Sequence, residues 1–113
     1  VYADQSGTVP LTLYWQSLNA GETIAYTVFT QILAEDGRLI AQHDTPPAGG
    51  ARPTTGWIEG EYIQDDHLLT FREPEYAGQG QIIVGMYDPI TGTRLLLPDG
   101  TDHFVLPITL EIR

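Results

Sequence analysis

The stretch Val9-Pro10-Leu11-Thr12-Leu13-Tyr14-Trp15-Gln16 decides the fold class. Val9, Leu11, Leu13 and Trp15 alternate with Pro10, Thr12, Tyr14 and Gln16. Successive side chains of a strand point to opposite faces, so this period of two reads as a β-strand with one apolar face. Trp15 keeps phase with the apolar set and is expected in the core. The last segment repeats the pattern, with Phe104, Leu106, Ile108, Leu110 and Ile112 on one face. Pro107 lacks a ladder donor, which places that strand at an edge or puts a bulge there.

Further strands lie between. Ile24 to Leu33 is rich in β-branched and aromatic residues. It leads through Glu35-Asp36-Gly37-Arg38 into Leu39 to His43, and Asp-Gly between apolar runs is a hairpin signal. Gln81 to Tyr87 runs through Asp88-Pro89-Ile90-Thr91-Gly92-Thr93 into Arg94 to Leu97, and shorter strands are expected at Tyr62 to Gln64 and His67 to Phe71. The remaining connectors are Asn19-Ala20-Gly21, Thr45 to Gly56, Glu73 to Gly80 and Pro98-Asp99-Gly100. Turns thus recur about every 8–12 residues, and no helical stripe interrupts them. The expectation is an all-β, immunoglobulin-like antiparallel β-sandwich of about eight strands, one domain spanning residues 1–113.

Charge narrows the function classes. Fifteen acidic residues against five basic ones give a formal −10. Such a surface repels nucleic acid, whose binding requires cations to displace counterions. It also repels an anionic membrane face. A solvated acidic surface explains the balance, and divalent-cation binding is the sharper alternative. Cysteine is absent, so there is no disulfide framework and no thiolate metal site. No apolar run approaches the ~20 residues of a membrane span. The chain opens Val1-Tyr2-Ala3 with no signal peptide, the pattern of a piece of something longer or of a mature product.

Each candidate for chemistry has a structural reading beside it. Glu35-Asp36 sits in a hairpin turn, where Asp caps local backbone. In Asp65-Asp66-His67, an extended backbone places Asp65 and His67 on one face, as half of a metal site or an acid–base pair. A turn or surface position is the plainer reading. His43, His67 and His103 each have an acidic neighbour, yet their spacing matches no zinc signature, and no metal site is expected. Asp99-Gly100-Thr101-Asp102 is too short for a calcium loop and reads as a turn. The serines are Ser6 and Ser17 alone, in no nucleophile elbow, which argues against Ser or Cys catalysis. Gly78-Gln79-Gly80 precedes no helix, and no P-loop occurs, so no cofactor is expected.

The long loop from Thr45 to Gly56 holds three prolines and three glycines in twelve residues and ends beside Trp57. Loops of that length are often functional, and its prolines imply an ordered excursion. Exposed aromatics with polar neighbours form sugar platforms, by the general logic of small-molecule sites. Trp57, Tyr62, Tyr76 and Tyr87 are the candidates, with loop anchoring as the competing role of Trp57.

Several stretches, in order, carry a family resemblance: Leu11 to Trp15, Tyr26 to Phe29 with Asp36 to Leu39, Ala41 to Asp44 with Pro46 to Gly50, Trp57, Gly60-Glu61, Asp65, and Val84 to Asp88 with Thr91 to Leu95. The chain resembles the C-terminal extracytoplasmic β-sandwich domain of bacterial, especially Chloroflexi-type, multi-spanning glycosyltransferase-like membrane proteins. The family's Gly-x-Tyr is replaced by Gly80-Gln81-Ile82. The resemblance transfers no catalytic or ligand residues. It implies a non-catalytic accessory or interaction domain outside the membrane, beside segments of its parent protein and not itself inserted. The alternative is a carbohydrate-binding module using Trp57, Tyr62, Tyr87, Asp65 and His67, and a divalent-cation-binding domain comes last. Gly85 in mid-strand admits a large neighbour such as a Trp ring, and Arg38 and Arg94 each follow a turn and are placed to pair with acidic loop residues.

Overall fold

A computed structural model describes residues 1–72 and 76–113. Among them the chain forms seven strands: β1 (Tyr2–Ala3), β2 (Thr8–Gln16), β3 (Thr27–Ala34), β4 (Leu39–Thr45), β5 (Tyr62–Phe71), β6 (Gly78–Tyr87) and β7 (Phe104–Ile112). Two short 3-10 turns, Pro47–Gly50 and Thr54–Gly56, are the helical elements. The all-β class is as the period of two requires. The strand list differs from the expectation in three places. Tyr62 to Phe71 is one continuous strand, because Asp65 and Asp66 stay in the ladder opposite Leu13 and Thr12. Arg94 to Leu97 is no strand: it makes a single bridge, Tyr87 with Arg94. β1, too short to show periodicity, was not expected.

Hydrogen bonding joins all seven strands in one sheet, in the order β1-β7-β6-β3-β4-β5-β2. β1 runs parallel to β7, which corrects the purely antiparallel expectation. β4 and β5 share only Ala41↔Phe71 and Gln42↔Thr70, so the sheet can bend there. Val9 and Leu69 pack in one core cluster with Ile82, Val84 and Leu110. In a flat sheet, at about 4.8 Å per strand, β2 and β6 would be far out of reach of each other. The sheet therefore curls until β2 lies over β6 across the core.

The hairpins follow their turn residues. Gly37 takes φ 87°, and the Gly37 amide donates to Ala34 O at 2.9 Å. The turn after β6 closes with the Gly92 amide on Asp88 O at 2.7 Å. β3 starts at Thr27, later than expected, because the Tyr26 amide donates to Thr54 Oγ1 and the Ile24 carbonyl accepts from that hydroxyl. β6 begins earlier, at Gly78, while the rest of the expected connector, residues 73–75, lies outside the described residues. Pro107 sits in a bulge: Gln81 pairs with Thr109 and Ile83 with Val105, so two steps on β6 face four on β7. An even offset preserves the phase, and Leu110 and Ile112 stay buried, while Phe104 and Ile108 are exposed. The large neighbour at Gly85 is Phe29 rather than a tryptophan. A methyl on Gly85 would fall inside that ring, and the Arg94 guanidinium covers the ring at 4.2 Å.

Candidate functional site

Asp65 and His67 occupy the middle of β5, two residues apart, and face the core. They are 0% and 2% exposed, which corrects the plainer turn or surface reading. His67 Nε2 lies 2.7 Å from Asp65 Oδ2. The same oxygen accepts from Trp15 Nε1 at 3.0 Å. The other oxygen, Oδ1, accepts the Ala48 amide at 2.9 Å. Beyond His67, its Nδ1 meets Nδ1 of His43 at 2.8 Å. The two imidazoles stand edge to face, 4.9 Å between centroids.

Each partner is delivered by a different element. Alternation along β5 selects Asp65 and His67 and sends Asp66 outward, where it accepts from Thr12 Oγ1 at 2.8 Å. The pairing of β2 with β5 sets Trp15 diagonally to Asp65. His43 comes from β4 and faces inward, while Asp44 faces outward and accepts from Tyr87 Oη at 3.0 Å. The Pro/Gly loop supplies Ala48, whose φ of 56° and ψ of 41° are left-handed. That conformation costs a non-glycine residue about 1–2 kcal/mol, and it aims the Ala48 amide at the carboxylate.

Burial, the largest influence, pushes the Asp65 carboxyl up. The hydrogen bonds from His67, Trp15 and Ala48 together outweigh it and hold the group below its usual 3.8. Asp65 is therefore an ionised, buried acceptor with three N–H donors, and His67 Nε2 carries a proton toward it. One proton lies between the two Nδ1 atoms. Burial first, then the neighbouring His67, push the His43 imidazole below its usual 6.5, against upward pulls from Asp44 and Asp65. A doubly protonated pair would set two donors face to face. The arrangement clamps β2, β4, β5 and the Pro/Gly loop around one carboxylate. It has the ingredients of a general base, but both of its buried members are spent on internal partners.

The other expected residues lie elsewhere. Trp57 is half-buried, and its Nε1 donates to Arg52 O at 2.9 Å, so it anchors the Pro/Gly loop. Arg52 also pairs with Glu61 at 2.6 Å. Trp57 lines a cleft of about 300 Å³ with Tyr26, Thr54, Met86 and Leu95. Tyr87 packs on Phe29, 6.2 Å between centroids, and burial, then its bond to Asp44, raises its phenol above 10.0. Tyr76 donates to Gln79 O at 2.6 Å and packs at the turn between β3 and β4. Tyr62 is exposed, on the face of β5 opposite Asp65 and His67. The five residues expected to bind together thus occupy separate places, except the Asp65–His67 pair.

The turn acids are occupied locally. Asp36 pairs with Arg38 at 2.8 Å, Asp99 accepts from Thr101 Oγ1 at 2.6 Å, and Asp102 lies 2.9 Å from His103 Nδ1 and 3.4 Å from Arg94. Among the described residues, no group of three His, Cys, Asp or Glu side chains is placed to hold a metal ion. A second, apolar groove of about 230 Å³ lies between Trp15, Val84, Leu95 to Leu97 and Phe104.

Sequence reasoning missed His43 as the partner of His67, the Trp15 N–H as a donor, and Tyr14 as an exposed ring. One signal was available for Trp15, which lies half-buried against the core and not within it as expected: an indole packed there needs an acceptor for its N–H. The fold and the site define an all-β chain with, among the described residues, one buried carboxylate–imidazole cluster. Comparison with protein-family models, curated proteins and solved structures finds no match in any of the three.

Proposed function

We propose that this chain is a non-catalytic accessory domain, an immunoglobulin-like sandwich carried outside a bacterial membrane by a glycosyltransferase-like protein. One observation carries the non-catalytic half: the acid–base pair Asp65–His67 is sealed in the core and saturated by Trp15, Ala48 and His43. Neither the Trp57 cleft nor the Leu95–Leu97 groove is lined by that pair. The ordered segments that resemble that family's are the ground for the remainder. The test is incubation of the purified domain with aryl glycosides and nucleotide sugars. No turnover is expected, and turnover that disappears in His67→Gln would overturn the reading.

Glycan recognition is the second reading. It is favoured by Tyr62, which stays exposed among polar neighbours on an open sheet face.

A further inference from the structure

We infer that the outer face of β2 and β5 is a binding platform for a neutral, β-linked polysaccharide of equatorially substituted pyranoses. This rests on the glycan-recognition reading and gives it a site. The ladder pairs Tyr14 with Gln64 and Gln16 with Tyr62, so Tyr14 and Tyr62 are diagonal neighbours on one face. Diagonal neighbours stand about 7–8 Å apart, close enough for two rings to form one surface. Each tyrosine is 67% exposed. Among the described residues neither ring stacks on another ring and neither hydroxyl has a hydrogen-bond partner.

The surroundings select the ligand. Thr8, Pro10, Thr12, Tyr14 and Gln16 of β2 and Tyr62, Gln64, Asp66, Leu68 and Thr70 of β5 are all exposed, so the face is an open strip two strands wide. A single small molecule takes a concave pocket, whereas an open strip suits an extended polymer. Around the two rings stand hydroxyls and amides, with Asp66 the one charge on the face. Asp66 accepts from Thr12 Oγ1 on Oδ1 at 2.8 Å and from Gln64 Nε2 on both oxygens at 3.3 and 3.4 Å, which leaves Oδ2 with capacity for one ligand hydroxyl. The face carries no cation, and the chain's −10 repels a polyanion, so the polymer is neutral. A pyranose with equatorial substituents turns a C–H face to an aromatic ring, and equatorial β-linkages keep successive rings in one extended ribbon that both tyrosines can contact.

The platform is also braced from below. Directly beneath it, Trp15 on β2 donates to Asp65 on β5, tying the two strands together on their buried side. Contact groups held by a supporting layer bind with less loss of freedom.

The experiment is native electrophoresis of the domain through gels holding hydroxyethylcellulose, mixed-linkage β-glucan or dextran, followed by titration with cellohexaose. The two β-linked polymers should retard the protein and dextran should not. Tyr14→Ala and Tyr62→Ala should each raise Kd about tenfold or more, the scale of stacking on one aromatic ring. Tyr14→Phe and Tyr62→Phe should keep most of the binding, and unfolding midpoints should show every variant folded. Retardation unchanged in the Tyr14/Tyr62 double alanine variant but lost in Trp57→Ala would overturn the site while leaving glycan recognition standing. Equal retardation by dextran would overturn the ligand class. No retardation by any polymer would sink both.

Discussion

Asp65 and Asp66 are adjacent, chemically identical and opposite in consequence. Asp65 is buried under three N–H donors, and Asp66 is exposed on the platform. Removing Asp65 leaves three N–H donors without their acceptor, at about 1–3 kcal/mol for each that stays buried. Asp65→Ala should therefore lower stability by about that much for each such donor, whereas Asp66→Ala should change it by about 0.5 kcal/mol or less. Urea denaturation of the two variants makes the comparison. Equal effects would mean that the carboxylate does not organise the core. The contrast has a simple origin, since consecutive residues of a strand cannot share a face.

The Pro/Gly loop shows how an irregular element is held by side chains instead of a ladder. Thr54 is buried, donates to the Ile24 carbonyl at 2.6 Å and accepts the Tyr26 amide at 3.0 Å. Trp57 closes the loop on Arg52 O, and Glu61, held below 4.5 chiefly by its bond from Arg52, closes it again. Thr54→Val keeps the volume and removes the hydroxyl, leaving two backbone groups unpaired. The expected loss is about 1–3 kcal/mol for each such group that water does not reach. Thr54→Ser should restore most of it. Limited proteolysis should cut the valine variant between residues 46 and 56 faster than the serine variant. Equal cutting rates would show that the hydroxyl does not hold the loop.

Across the whole molecule, the cluster couples folding to pH. In the folded state His43 binds its proton less readily than the usual 6.5. Below about pH 6.5 the unfolded chain takes up a proton that the folded chain refuses, so stability falls as pH falls toward the folded value. Asp65 acts with the same sign in a lower window: its depressed value contributes stability above 3.8 that is lost on further acidification. The urea midpoint should thus be level above pH 7 and decline from about pH 6.5. His43→Gln should flatten that first decline. A variant that keeps the full decline would assign it to another group.

The sequence by itself determined what is local. Period two named the strands and chose the inward face of β2. Asp36-Gly37 and Asp88 to Gly92 placed two turns, because their backbone preferences belong to a few consecutive residues. The same alternation set Asp65 and His67 on one face of an extended segment. What surrounds that pair was not legible. Trp15 meets Asp65 across 50 positions of chain, and His43 meets His67 across 24. Strand register, the curl that brings β2 over β6, and the choice of Arg94 to Leu97 as a bridge instead of a strand all depend on distant partners. Tyr14 and Tyr62 likewise become neighbours only when β2 pairs with β5. Burial is a property of the closed sheet. Only the tertiary structure could therefore decide that the acidic pair lies inside and the tyrosine pair outside.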